Sequence, residues 1–328
     1  MKNVTPAINQ NLKGSIIIPS DKSISHRALM FASLAEGKSV IRNCSKAKDP
    51  MSTLSIFRDL GVDIQNIDEN TIIVNSTGKL KSLNDVLDCG NSGTTMRLMC
   101  GILAGQPFSS TLVGDESLSK RPMKRVIEPL ALMGAKISAI NNCAPIQINS
   151  GQLVGIEYSS SIASAQVKSC MLLAGLHAEG ETVYKEPYLS RNHTELMLEY
   201  MNADIFSDGV ITKIRPSILE SREISVVGDI SSAAFFMAAA SIVPNSDVVL
   251  KNVGLNPTRT GILEVLKKMG GNVEILDEQV VSGELVGDVR VKYSELKACT
   301  IEGEIIPKLI DELPVIAVLA TQAEGTTI

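Results

Sequence analysis

Four short segments recur along the chain: LGVDI from Leu60, MGAKI from Met133, MNADI from Met201 and MGGNV from Met269, spaced by 73, 68 and 68 residues. Each follows apolar residues at helical spacing, as in VIEPLALMG, and leads into a β-branched or alternating run such as VDIQNIDENTIIVN. The pattern predicts a helix that ends on Gly or Asn in the left-handed conformation and hands over to a strand. A second series interlocks with the first. AEGKSVIRN from Ala35, AGQPFSSTLVG from Ala104, AEGETVYKEP from Ala178, VPNSDVVLKNVG from Val243 and AEGTTI from Ala323 each leave a helix, turn on Gly or Asn and begin a strand. Together they define a unit of strand, helix, strand, helix, strand, strand, with a period of roughly 70 residues, and hence an α/β fold of repeated βαβαββ units.

A chain of 328 residues, 44% hydrophobic and 20% charged, can bury more than one core, so two domains are expected. The net charge of -5 argues against a general nucleic-acid binder, leaving local Lys and Arg clusters to recognise a small anion. MKNVTPAINQ carries no apolar run, and AAFFMAAASIV is too short to cross a bilayer, so no membrane association is expected. The six cysteines form no CxxC pair and read as reduced, mostly packed thiols, which suits the cytosol. His26, His177 and His193 lack ligand spacing and read as surface or capping residues, so no metal is expected.

Each first helix of a unit opens on small polar residues: SDKS at Ser20, GNSGTT at Gly90, SIASAQ at Ser161, GDISSAA at Gly228 and IDELP at Ile310. The first turn of a helix offers unpaired N–H groups and the positive end of the macrodipole, a ready anion site. Flanking cations agree: Lys22 and Arg27, then Arg97, Arg121, Lys124 and Arg125, then Lys168 and Arg191. For any one opening the plain reading is an N-cap. KRPMKR reads equally as a solvated face, GNSGTT lacks the Gly-Lys-Ser/Thr of a Walker loop, and Asp311 with Glu312 would be favourable charge in a first turn. Recurrence at equivalent positions is what favours binding.

DKSISHRALM, LDCGNSGTTMRL, GDESLSKRPMKRVIEPL, ASAQVKSCMLLAGL, SRNHTE, GDISSAAFF, NPTRTGILEVLKKMG and IDELPVIAVLA appear in one order over nearly the whole chain. In this the sequence resembles the 5-enolpyruvylshikimate-3-phosphate (EPSP) synthases. The resemblance implies transfer of the enolpyruvyl group of phosphoenolpyruvate to the 5-hydroxyl of shikimate 3-phosphate, with release of phosphate, in aromatic amino acid biosynthesis. It implies six βαβαββ units in two domains of three, of the inside-out α/β barrel type, with ligands between them and no cofactor. Residues 21–228 would form a domain of three complete units; 1–20 plus 229–328 would form a second, incomplete one. The fifth unit stops at Ile328 as its next strand begins, so a fragment with little or no turnover of its own is expected.

By the same resemblance, Lys22, Ser23, Arg27, Ser164, Ala165, Gln166, Arg191 and Asp311 would bind shikimate 3-phosphate. Lys22, Asn91, Gly93, Arg121 and Gln166 would bind phosphoenolpyruvate. Asp311 would orient and deprotonate the attacking hydroxyl, and Lys22 would stabilise charge or donate to the leaving phosphate. His26 reads as a bystander beside them. The resemblance favours a monomer. Two alternatives remain: a truncated paralogue that binds shikimate 3-phosphate without catalysis, and the sister family acting on UDP-N-acetylglucosamine, which is disfavoured by KSISHR and by the lack of a clear reactive loop cysteine.

Overall fold

The computed structural model describes residues 11–328. The first repeat runs β1 (Lys13–Ile17), α1 (Lys22–Leu34), β2 (Ala35–Arg42), α2 (Lys48–Asp59), β3 (Asp63–Asn66) and β4 (Thr71–Thr77). The second runs β5 (Val86–Asp88), α3 (Gly93–Ala104), β6 (Ser110–Val113), α4 (Lys124–Leu132), β7 (Lys136–Ala139) and β8 (Ile146–Asn149). The third runs β9 (Glu157–Ser159), α5 (Ala165–Gly175), β10 (Thr182–Lys185), α6 (His193–Tyr200), β11 (Ile205–Asp208) and β12 (Ile211–Ile214). The fourth opens on the short β13 (Leu219–Glu220) and β14 (Glu223–Ser225), then α7 (Ile230–Ile242), β15 (Asp247–Gly254), α8 (Gly261–Lys268), β16 (Asn272–Val281) and β17 (Glu284–Lys292). The helix α9 (Leu313–Thr321) follows.

Each repeat contributes one small sheet, ordered β5-β6-β8-β7 in the second repeat and β9-β10-β12-β11 in the third, and no sheet of the described residues closes into a barrel. The opening strand lies parallel to the next strand of its sheet, as β5 does to β6 and β9 to β10, and the remaining pairs are antiparallel. The first and fourth repeats exchange opening strands. β1 pairs in parallel with β15, whereas β13 and β14 pair in parallel with β2. The chain accordingly divides into a larger unit, Ser20–Val227 with Val281–Glu284, and a smaller one formed by the remaining residues.

The recurring Leu/Met-Gly/Asn pairs have one structure. Gly61, Gly134, Asn202 and Gly270 follow α2, α4, α6 and α8 with φ of 81°, 91°, 65° and 79°. In each, the following N–H reaches back to the third-last helical carbonyl: Val62 to Phe57, Ala135 to Leu130, Ala203 to Leu198 and Gly271 to Leu266, at 2.8–3.0 Å. This is the Schellman closure, which needs a residue that tolerates positive φ, and it turns each second helix into a strand.

The first helices end and begin differently. Side chains of Asp21, Ser92, Ser164 and Asp229 cap α1, α3, α5 and α7, whereas α2, α4, α6 and α8 have no side-chain cap. In the larger unit α1, α3 and α5 are buried almost all round, as sequences such as MFASL and LMCGILA require, and the second helices cover them with one apolar face. Gly101 marks the closest approach of α3 to α5: a Cβ there would lie 2.1 Å from the Cys170 carbonyl oxygen. Gly inside a helix costs about 1 kcal/mol relative to Ala, so Gly101→Ala would stabilise an isolated helix. Here the sign reverses. Overpacking at backbone distance should destabilise the protein by about 1–3 kcal/mol or more, to be read from the shift in its denaturant midpoint; an unchanged midpoint would show that the two helices part freely.

Candidate functional site

The openings of α1, α3 and α5 lie in the larger unit and are tied to one another by side chains. At α1, Asp21 accepts the Ile24 N–H at 2.8 Å, Lys22 projects into solvent with its ammonium 3.2 Å from Asp49, and Ser23 is half-buried. Arg27, one turn on, is 4% exposed. Its Nε donates to Thr194 Oγ1 on α6 at 2.7 Å, Nη1 to the Ser23 carbonyl at 3.0 Å and Nη2 to Ser169 Oγ on α5 at 2.8 Å. Burial pushes the Arg27 guanidinium down to about 10, with Glu195, Asp21 and Glu284 opposing and the nearby Arg191 adding to the shift, so it stays charged at neutral pH.

At α3, Asn91 Oδ1 accepts from Arg121 Nη2 at 2.7 Å, while Asn91 Nδ2 donates to Asp115 at 2.6 Å. Gly93 leaves space for two guanidinium groups: a Cβ there would stand 2.7 Å from Arg97 Nη1 and 3.4 Å from Arg121 Nη1. Arg97 continues across to α5, donating to Gln166 Oε1 at 2.8 Å, and Gln166 Nε2 donates to Thr94 Oγ1 at 3.2 Å. Burial and the charges of Arg125 and Arg121 hold Arg97 below the usual arginine range. At α5, Ser164 is the N-cap, accepting from the Val167 N–H at 3.4 Å, and Ala165 and Gln166 form the first turn. A capping hydroxyl uses its lone pair and keeps its own proton for another acceptor, so the cap and a ligand contact are compatible at Ser164.

The structure thus brings Lys22, Ser23, Arg27, Asn91, Gly93, Arg121, Ser164, Ala165, Gln166 and Arg191 into the larger unit. Asp311 belongs to the smaller unit, exposed in the turn ahead of α9. Its neighbour Glu312 is 1% exposed, hydrogen-bonded by Ser231 and 3.8 Å from the Arg259 guanidinium.

Three expectations are corrected. Lys168 does not flank the site as a free cation: it is 1% exposed, 2.8 Å from Glu186 and 2.7 Å from Glu195. A single Lys in the apolar stretch QVKSCMLLAG was the available signal, since a buried ammonium requires carboxylates around it. His193 is not at the surface either; its Nδ1 lies 2.6 Å from Glu284, and both side chains are buried. His26 is fully buried, with Nδ1 2.8 Å from Thr53 Oγ1. Thr53 lies 2.8 Å from Thr95 Oγ1, which donates to the α3 cap Ser92 at 2.7 Å. His26 is therefore part of a polar chain from α1 to the opening of α3.

Comparison with known proteins places this architecture. A family profile described as EPSP synthase (3-phosphoshikimate 1-carboxyvinyltransferase) matches residues 6–328. The chain belongs to the EPSP synthase family. A 3-phosphoshikimate 1-carboxyvinyltransferase of Bacillus licheniformis is 54% identical over 322 residues, 97% of this chain and 75% of that protein. One of Thermodesulfovibrio yellowstonii is 53% identical over 326 residues, covering 97% and 76%. Among solved structures, an EPSP synthase from Acinetobacter baumannii matches with a TM-score of 0.91 and 43% identity over 97% of this chain and 74% of that one. The enolpyruvyl transferase NikO from Streptomyces tendae shares the fold, with a TM-score of 0.77 at 17% identity and the same coverage.

In this EPSP synthase family member the His26 chain makes a pH prediction. Burial first, then the Arg27 charge, push His26 from 6.5 down to about 3. The unfolded chain therefore binds a proton below pH 6.5 that the folded chain refuses until about pH 3, so stability falls as pH drops through that window. His26→Asn should remove up to about 1.4 kcal/mol per pH unit of that slope. Denaturant melts of both proteins between pH 6.5 and 4 measure the difference, and parallel slopes would contradict it.

Proposed function

We propose that the chain acts in enolpyruvyl transfer from phosphoenolpyruvate to the 5-hydroxyl of shikimate 3-phosphate, in keeping with its relatives, which are named 3-phosphoshikimate 1-carboxyvinyltransferases. The observation that carries the reading is the cross-linking of the α1, α3 and α5 openings through Arg27, Arg97 and Gln166. Capped helix starts bound together by guanidinium groups favour a ligand with several anionic groups.

In this reading, Ser23, Arg27, Ser164, Ala165, Gln166 and Arg191 hold shikimate 3-phosphate, with the Ser164–Gln166 segment and Arg191 meeting its phosphate. Asn91, Gly93, Arg121 and Gln166 serve phosphoenolpyruvate, and Lys22 serves both. Two polyanions held side by side repel, and the cations offset that repulsion. The 5-hydroxyl adds to C2 of phosphoenolpyruvate as C3 takes a proton. The resulting tetrahedral intermediate returns the C3 proton and expels phosphate, leaving the enolpyruvyl ether. Asp311 receives the hydroxyl proton, and Lys22 stabilises the charge that develops on the departing phosphate. The chain acts without a cofactor, as a monomer, in the cytosol. Among the described residues no helix is long and apolar enough to cross a membrane.

Calorimetry with shikimate 3-phosphate tests the reading, with UDP-N-acetylglucosamine as the control ligand. Binding of the first and not the second is expected, and the reverse would overturn it. The Lys22 side chain is 51% exposed and its pair with Asp49 is a surface one, so Lys22→Ala should leave the melting temperature unchanged. The same variant should weaken shikimate 3-phosphate binding about tenfold.

A further inference from the structure

The reaction assigns no part to the buried Lys168, yet its surroundings are built around one backbone position. Lys168 Nζ donates to the Ser190 carbonyl at 3.3 Å, and the Ser190 N–H donates to Glu186 Oε1 at 2.9 Å. Glu186 Oε1 is in turn 2.8 Å from Lys168 Nζ, closing a ring in which both backbone polar groups of Ser190 are held by side chains nearly absent from the surface. Ser190 immediately precedes Arg191. Glu195, 2.7 Å from the same ammonium, ties the ring to the first turn of α6, beside the Thr194 hydroxyl that receives Arg27. Lys168 itself lies one helical turn beyond Ser164, at the opening of α5.

We propose that Lys168, Glu186 and Glu195 form a mould that fixes the Ser190–Arg191 turn, and so set the direction in which Arg191 meets the phosphate of the substrate. They are positioning residues, since none touches the ligand. The proposal rests on the functional reading above. The Arg191 charge adds to the lowering of the Arg27 proton affinity, so the fold keeps this turn near a second, like charge on α1. A turn held only by its own backbone would relax outward and lose the shared grip on an anion.

Charge and geometry predict opposite signs for Glu186→Ala. Removing a carboxylate near an anion site should tighten anion binding by Coulomb's law alone, and it leaves Lys168 still paired with Glu195. Loss of the Ser190 N–H acceptor should instead weaken it. We expect Glu186→Ala to weaken shikimate 3-phosphate binding about tenfold by calorimetry, and Glu186→Gln, which keeps an acceptor oxygen without the charge, to restore it. In an Arg191→Ala background the Glu186→Ala loss should largely disappear, because the two changes act through one contact.

If Glu186→Ala does not fold, Lys168→Met combined with Glu195→Gln takes its place, removing one charge of each sign and the donor to the Ser190 carbonyl. The proposal is overturned if the alanine variant binds as tightly as the parent protein or more so, if glutamine fails to restore binding, or if the loss persists in the Arg191→Ala background. Failure of the parent protein itself to bind shikimate 3-phosphate would instead sink the functional reading. Titration of the same variants with inorganic phosphate then decides the role of the mould, with the same order of affinities expected.

Discussion

The larger unit depends on one buried cation. Removing the Arg27 guanidinium from water is costly, and the cost is offset only where every side of the group finds a partner. Its partners lie on separate elements: its own helix at Ser23, α5 at Ser169 and α6 at Thr194. A small separation of those helices would leave guanidinium N–H groups without partners while still buried. The interaction that binds them also delivers positive potential to the place where their first turns meet. In the proposed reading, stability and anion affinity are two consequences of the same desolvated group.

The repeat explains why helix openings were available for this purpose. Each unit uses its two helices differently. The second helix is closed by a Schellman turn and faces solvent on one side, so its ends need only local backbone bonds. The first helix is surrounded by protein, and its unpaired N–H groups must be met by caps or a ligand. Repetition therefore multiplies starts of one kind. The exchange of opening strands between β1 and β13/β14 leaves this logic intact, because each sheet still begins with a parallel pair beside its first helix.

Much of this was legible in the sequence because it rests on local chemistry. Gly or Asn after Leu or Met four times over foretold the left-handed closures, and Ser or Asp before the first helices foretold the caps. The strand exchange was not legible, since the choice between two equivalent edges leaves no local trace. The same holds for the buried polar groups. His26, His193 and Lys168 read as surface residues because polarity alone assigns them there, while their partners Thr53, Glu284, Glu186 and Glu195 stand 18 to 91 positions away. Only tertiary contact reveals that such a residue is satisfied inside.

Those hidden pairs also settle how an acidic chain can present a cationic site. With a net charge of -5, a random distribution of charge would repel a phosphate. The fold instead withdraws several acids into the larger unit, where Glu186, Glu195 and Glu284 face Lys168, His193 and the neighbourhood of Arg27. Glu186 and Glu195 are compensated at short range by the Lys168 ammonium, and Glu284 is held by its contact with His193. In the proposed reading Lys22, Arg97, Arg121 and Arg191 set the potential at the helix openings. Net charge describes the whole surface, whereas affinity follows the few groups that burial has sorted to one place.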